Sequence, residues 1–397
     1  MGSKIILSIV ALIFIAVGVM PLVVKKQVGD LRPAILPPKE IVELPISTQS
    51  AGQTVDFPLK VSEGFKIGVF VKGLEAPRDL QFSPGGTLLA SIPTAEKVVA
   101  LPDQDNDGVA DKIVDLVPGV RRSHGIAFYQ GKLYVAGDTS VFRYNFDEGQ
   151  LKATLDKKIL DLPGGGRHNT RTITFDPTGQ MFISIGSTCD VCLEKNPWHG
   201  AVITADSEGN NPRVFARGLR NAVFITINPD SEELWGTEMG RDFLGDNLPP
   251  DEVNIIKDGR DYGWPFCYGS KVSDTKFNTG SQVSPCEATE SPAFEIPAHS
   301  APLGLTFVNS KQFPPEWQGD LLVSYHGSWN SSVPVGYKVV RMNVEGNTIK
   351  EAEDFITGFL DGSEARARPV DVIFDKAGSL YVSDDKAGYI FKVVKSN

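Results

Sequence analysis

From residue 80 onward the chain repeats one pattern of apolar and polar positions. An apolar strand runs into a turn rich in Gly, Pro, Asn or Asp. A second strand follows, in which apolar and polar residues alternate. The copies are "LQFSPGGTLLASIP" from Leu80, "IAFYQGKLYVAGD" from Ile126, "ITFDPTGQMFISIG" from Ile173, "ITINPDSEELWGTE" from Ile225, "LTFVNSKQFPPEWQGDLLVSYHG" from Leu305 and "VIFDKAGSLYVSDD" from Val372. The anchor of each first strand is Phe82, Phe128, Phe175, Ile227, Phe307 or Phe374. The early anchors lie about 46–52 residues apart, close to the ~40–50 residues of a four-stranded propeller blade. The two wider gaps hold insertions, one of them over 242–300. Six copies predict an all-β, six-bladed β-propeller over residues 61–397, a ring that leaves only short protected edges. The alternative is a β-sandwich with coincidental hairpins.

The N-terminus follows a different pattern. Residues 5–24 are an uncharged, predominantly apolar run between Lys4 and Lys25-Lys26. At about 1.5 Å per residue a helix of that length reaches roughly 30 Å, the thickness of a hydrocarbon core. Residues 1–26 are therefore expected to be a signal anchor or signal peptide, with 27–60 as linker and lead-in. A clear small-residue cleavage site is missing, which favours an uncleaved, membrane-tethered anchor. Either form places the protein outside the cytoplasm, in the periplasm or on the outer face of the cell membrane. The cysteine count of 4 fits that compartment. Cys189 with Cys192 and Cys267 with Cys286 permit two disulfides, and a Cys₄ zinc site is the alternative. "CDVC" is followed by Leu193, not His, so it is no haem attachment site.

A net charge of −10 argues against a broad basic face for nucleic acid. The cations are instead concentrated just before the repeated strands: Arg78, His124, His168, Arg171, Arg220 with Asn221, His299, Arg366 and Arg368. In a propeller those positions surround one mouth of the central channel. Converging guanidinium forks suit a small ligand with several carboxylates. The plainer alternative pairs each arginine with a neighbouring Asp, such as Asp79 or Asp371. A separate signal is "DQDNDGVAD", where Asp103, Asp105, Asp107 and Asp111, with the carbonyl of Val109, surround Gly108. That spacing matches the start of an EF-hand loop. Val114 stands where the loop's closing Glu belongs, so the expectation is a structural calcium clip on a blade hairpin. A solvated acidic turn is the alternative.

The segments "FARGLRNAVFITINP", "DNLPPDEVNIIKDGRDYGWPFCYG", "APLGLTFV", "HGSWN" with "GYKVVRM", and "ARPVDVIFDKAGSLYVSDD" carry a resemblance. Over roughly residues 65–395 the chain resembles the sorbosone dehydrogenase-like branch of the soluble pyrroloquinoline quinone (PQQ)-dependent sugar dehydrogenases. The resemblance implies a six-bladed propeller oxidoreductase that carries PQQ and Ca²⁺ at one mouth. It implies oxidation of an aldose, polyol or sugar aldehyde with PQQ as hydride acceptor, and an external electron acceptor at the membrane, a quinone or a cytochrome. By position it implies His168 as catalytic base, and Arg220 and Asn221 on the quinone. It places the backbone carbonyls of Gly240 and Arg241 on Ca²⁺, Arg366 and Arg368 on the cofactor carboxylates, and Asp385 beside the cofactor. Two positions depart from the family pattern: Tyr325-His326 replaces a cofactor lysine, and Arg241 replaces a proline. His326 is then the expected, pH-dependent partner of a carboxylate.

His124 is the rival base. Asp251 and Glu252 are expected to brace the calcium loop or pair with arginines, Trp264 to pack, and Trp329 to offer a face to a sugar ring. Two other functions compete. A calcium-dependent lactonase would need acidic and amide side chains converging on a channel metal, whereas this rim is dominated by Arg and His. A non-catalytic propeller would serve as a binding module.

Overall fold

The computed structural model describes residues 53–277 and 284–396. The apolar run at 5–24 lies outside them, and among the described residues no helix is long and apolar enough to cross a membrane. Six antiparallel sheets form the six blades. Blades 1 to 3 span 80–118, 125–161 and 173–217, and blades 4 and 5 span 225–296 and 302–357. Blade 6 takes its three inner strands from 369–395 and its outer strand, Phe65–Lys72, from the other end of the chain. That strand precedes the first copy of the repeat, so the repeat alone did not reveal it. Lys60–Val61 adds a short fifth strand to blade 5.

The anchors fall where the pattern placed them. Phe82 pairs with Leu88, Phe175 with Met181, Ile227 with Leu234 and Phe374 with Leu380, each across the first hairpin of its blade. The apolar core is not one mass but six wedges, each between adjacent blades. The second strand of blade 1, Leu88–Ile92, shows why these strands read as near-continuous apolar runs. Leu88, Ala90 and Ile92 pack with residues of blade 6, while Leu89 faces blade 2. A strand with both faces buried needs apolar residues at both parities.

Polar groups tie the innermost strands together. Asp79 Oδ2 accepts the N–H of Ile126 in blade 2 at 2.7 Å, and Asp371 Oδ2 accepts that of Leu80 in blade 1 at 2.8 Å. Thr172 Oγ1 donates to Val223 O at the same position of blade 3. Asp79 and Asp371 are both buried, and burial raises the pKa of each. The neighbouring Asp371 charge raises Asp79 further, and protonated Asp79 donates to Asp371. A raised carboxyl pKa contributes stability in acid that is lost as pH climbs through the folded-state value. Asp79→Asn keeps a donor and an acceptor without the charge. The wild type should therefore lose more of its thermal midpoint between pH 5 and pH 8 than Asp79→Asn; equal losses would show that the pair shares no proton.

Candidate active site

Because strands alternate in direction, the segments entering the inner strands and the loops from second to third strands emerge at the same end of the ring. Blades 3 to 5 build a cavity of about 250 Å³ there. Arg167 and His168 precede the inner strand of blade 3, and Arg220 and Asn221 that of blade 4. The second loops of blades 4 and 5 bring Gly240 and Asp242, then Trp329 and Asn330. Gly186 is required at the back: a Cβ there would lie 2.5 Å from His168 Cβ and 3.0 Å from Asn221 Oδ1.

His168 Nδ1 lies 2.8 Å from Ser187 Oγ, which leaves Nε2 as the ring nitrogen available to the cavity. Burial, then the charges of Arg220 and Arg167, lower its pKa to about 3, so the imidazole is neutral near pH 7. Arg220 is only 4% exposed, and each of its three nitrogens donates a hydrogen bond. Its Nε and Nη2 donate to Asp190 O at 2.9 Å and Asp190 Oδ1 at 2.8 Å, and Nη1 donates to Met239 O. Asp242 joins three blades by accepting from Arg167 at 2.8 Å, Arg220 at 3.3 Å and Asn330 at 3.2 Å. Arg167 also lies 5.7 Å from the ring centroid of Trp329, whose side chain is half exposed at the mouth.

The loop that follows Glu238 is held from beneath. Asp251 Oδ1 accepts Gly240 N–H and Oδ2 accepts Ala301 N–H, both at 2.8 Å, so Asp251 braces the loop as the sequence suggested. Burial pushes its carboxyl up to about 7, and does the same for Glu252. Glu252 accepts from Gly269 N and Asn254 Nδ2 and pairs with no arginine. Among the described residues the carbonyl oxygens of Gly240 and Arg241 accept no hydrogen bond. The Arg241 side chain points to Asp274.

The remaining predicted residues are placed elsewhere. His326 Nε2 meets Asp385 Oδ1 at 2.8 Å, and Arg78 binds the other oxygen of Asp385. Burial raises the Asp385 carboxyl, but His326 and Arg78 outweigh it and hold it well below the usual range. Arg368 donates to Gly327 O at 2.9 Å and stacks 4.8 Å from the Tyr337 ring. None of these side chains lines the cavity; the link is His326 N–H donating to Ala301 O in its wall. Arg366 stands apart from Arg368. It is 40% exposed and bound to Asp361 and Glu364.

Free converging forks are corrected, because a buried guanidinium needs a partner and each has one. Those partners are not Asp79 and Asp371, which bind main-chain N–H groups instead. His124 is wholly buried beside Thr172 and does not reach the cavity. The cysteines form disulfides Cys189–Cys192 and Cys267–Cys286, which removes the Cys₄ zinc reading. Trp264 packs, with Gly200 against its ring.

The acidic turn joins the third and fourth strands of blade 1, at the opposite end of the ring from the cavity. Carboxylate oxygens of Asp103, Asp105 and Asp107 lie within 4.8 Å of one another, and Asp103 accepts Gly108 N–H at 3.1 Å. Asp111 turns to Gln104 N, and Val109 N–H donates to Asp107.

The TrAA12-like family model matches residues 59–396. The chain belongs to the TrAA12-like family. It is 22% identical over 408 residues to the "Pyrroloquinoline quinone-dependent sugar dehydrogenase" of Hypocrea jecorina, covering 86% of this chain and 91% of that protein. It is 27% identical over 254 residues to the Escherichia coli "Aldose sugar dehydrogenase YliI", covering 58% of this chain and 61% of that one. Its fold matches the "Holo form of Pyranose Dehydrogenase PQQ domain from Coprinopsis cinerea" with a TM-score of 0.75 at 20% identity, over 87% and 98% of the two chains. The resemblance read from the motifs is thus to proteins of this kind.

In this TrAA12-like chain, sequence reasoning missed Ser187, Asp190, Asp242 and Asn330. Two signals were available: Asp190 lies inside "CDVC", and Asp242 follows Gly240-Arg241 directly. The electrostatics of His168 can be tested. Removing a neighbouring cation favours the protonated ring, so Arg167→Gln should raise the His168 pKa, and a polyanion in the cavity should do the same. An NMR titration showing the same pKa in wild type and variant would refute the assigned cause.

Proposed function

We propose that this propeller is a PQQ- and Ca²⁺-dependent dehydrogenase that oxidises an aldose, polyol or sugar aldehyde. One observation carries the reading. A neutral imidazole, His168, faces a cavity beside Arg220, Asn221 and a loop with two unbonded carbonyl oxygens. Those residues fit PQQ, which two of the relatives' names carry, and the Ca²⁺ that the resemblance implies. Carbonyl oxygens of Gly240 and Arg241 are hard donors of the kind Ca²⁺ takes. Arg220 and Asn221 supply N–H groups for quinone or carboxylate oxygens. His326, Arg368 and Asp385 belong to the proposal as a second polar group behind Ala301, and Arg366 leaves it.

When bound, PQQ supplies the hydride acceptor and Ca²⁺ the Lewis acid beside it. The chain's own part is to bind and orient. His168 Nε2 accepts the proton of the substrate hydroxyl, and a bound polyanion raises the basicity that burial, Arg220 and Arg167 lower. Arg220, fixed by Asp190 and Asp242, presents positive charge without reorganising. Trp329 offers its exposed face to the sugar at the mouth. The calcium clip at Asp103, Asp105, Asp107, Val109 and Asp111 remains a separate proposal, supported by the gathered carboxylates. Export, membrane tethering through residues 1–26 and an external quinone or cytochrome acceptor are also part of the proposal. Two disulfides support the oxidising compartment.

The test is dye reduction by the purified protein with PQQ, Ca²⁺ and a panel of aldoses, polyols and sugar aldehydes. Reduction should require both additions. His168→Ala should lower turnover by about 10²–10⁴-fold and leave PQQ affinity nearly unchanged. A protein that binds no PQQ would leave a non-catalytic binding module, a reading favoured by the internal pairing of His326 and Arg368.

A further inference from the structure

The four-residue loop closed by Cys189 and Cys192 touches the candidate site at nearly every residue. Cys189 O accepts the hydroxyl proton of Ser187 at 2.6 Å. Asp190 O accepts Arg220 Nε and, at 3.2 Å, Trp264 Nε1. Its carboxylate accepts Arg220 Nη2 and the N–H of Asp242. Val191 O accepts Lys276 Nζ at 2.8 Å.

The Ser187 contact decides where His168 carries its proton. A hydroxyl has one hydrogen, and a carbonyl oxygen can only accept. With that hydrogen committed to Cys189 O, the 2.8 Å contact between Ser187 Oγ and His168 Nδ1 is a hydrogen bond only if Nδ1–H donates. The neutral ring then has its lone pair on Nε2. The opposite arrangement would set two acceptor oxygens 2.6 Å apart with no proton between them.

We propose that Ser187 and the Cys189–Cys192 loop form the positioning device of this site: Cys189 O orients Ser187, Ser187 fixes the Nδ1–H tautomer of His168, and Asp190 fixes Arg220. In the dehydrogenase reading, on which its catalytic meaning rests, Ser187 is a positioning residue that acts through His168. The disulfide holds the carbonyl and the carboxylate of one short loop in register. Cys189 and Cys192 are half-buried, whereas Cys267 and Cys286 are buried. A phosphine with water reduces an accessible disulfide to two thiols and becomes the phosphine oxide, so the half-buried bond should open first.

The tautomer is read directly from ring-nitrogen shifts in a long-range ¹H–¹⁵N NMR spectrum, with His168→Gln assigning the signal among the 5 histidines. The oxidised wild type should show protonated Nδ1 and bare Nε2. Ser187→Ala should lose that single tautomer, and Ser187→Thr should restore it. Mild phosphine treatment of the wild type should loosen it too, a measurement that needs no folded variant. In dye reduction, Ser187→Ala should lower kcat by about tenfold or more with little change in KM. A bare Nδ1 in the wild type, or an unchanged tautomer in both Ser187→Ala and the reduced protein, would overturn the proposal. The expected tautomers without dye reduction by any wild-type sample would support the positioning geometry and overturn the dehydrogenase reading alone.

Discussion

Every blade of this ring is a thin sheet with two apolar faces, and neither can be left in water. The wedges between blades are the only place for those faces to go, so each blade is stable only between two others. This constraint fixes much else. It makes the middle strands apolar at both parities and confines polar chemistry to the rims. It also aligns the six strand entries around one axis, so that loops from blades 3, 4 and 5 meet over a single cavity. The position of His168 relative to Asp242 and Trp329 follows from blade packing; these residues share no stretch of chain.

At the rim the governing cost changes from apolar exposure to charge burial. Arg220 is nearly out of water and meets two carboxylates and two carbonyls. Arg78 receives Asp385, and Arg171 receives the carbonyls of Pro163, His168 and Thr170. Such matching keeps the guanidinium groups in fixed orientations, which is what a preorganised site requires. Asp242 is central because Arg167, Arg220 and Asn330 come from different blades and all reach it.

The fold was legible because a strand–turn–strand unit leaves a periodic trace, and the anchors from Phe82 to Phe374 marked the inner strands directly. His168, Arg220, Asn221 and Gly240 were legible as one site through the motifs that carry the family resemblance; the repeat alone placed His168, Arg220 and Asn221 near strand entries, at unequal offsets. The outer strand of blade 6 was not, since "FKIGVFVK" pairs with a segment at the far end of the chain and repeats nothing. Ser187, Asp190 and Asp242 escaped for another reason. They act by hydrogen bonding to residues on other loops, and no spacing within one segment encodes that. Arg366, two residues from Arg368 in sequence, pairs within its own hairpin, with Asp361 and Glu364.

The strand that completes blade 6 also constrains how the protein is made. Phe65 pairs with Lys395, so the sheet cannot finish until almost the whole described chain has emerged. Through that interval Phe65–Lys72 has an open edge of backbone donors and acceptors, a template for pairing with another chain. Contacts so distant in sequence form slowly, because the loop entropy is lost before they are made. Until Tyr389–Lys395 is available, the eight residues of Phe65–Lys72 therefore lack the sheet partner that closes the ring.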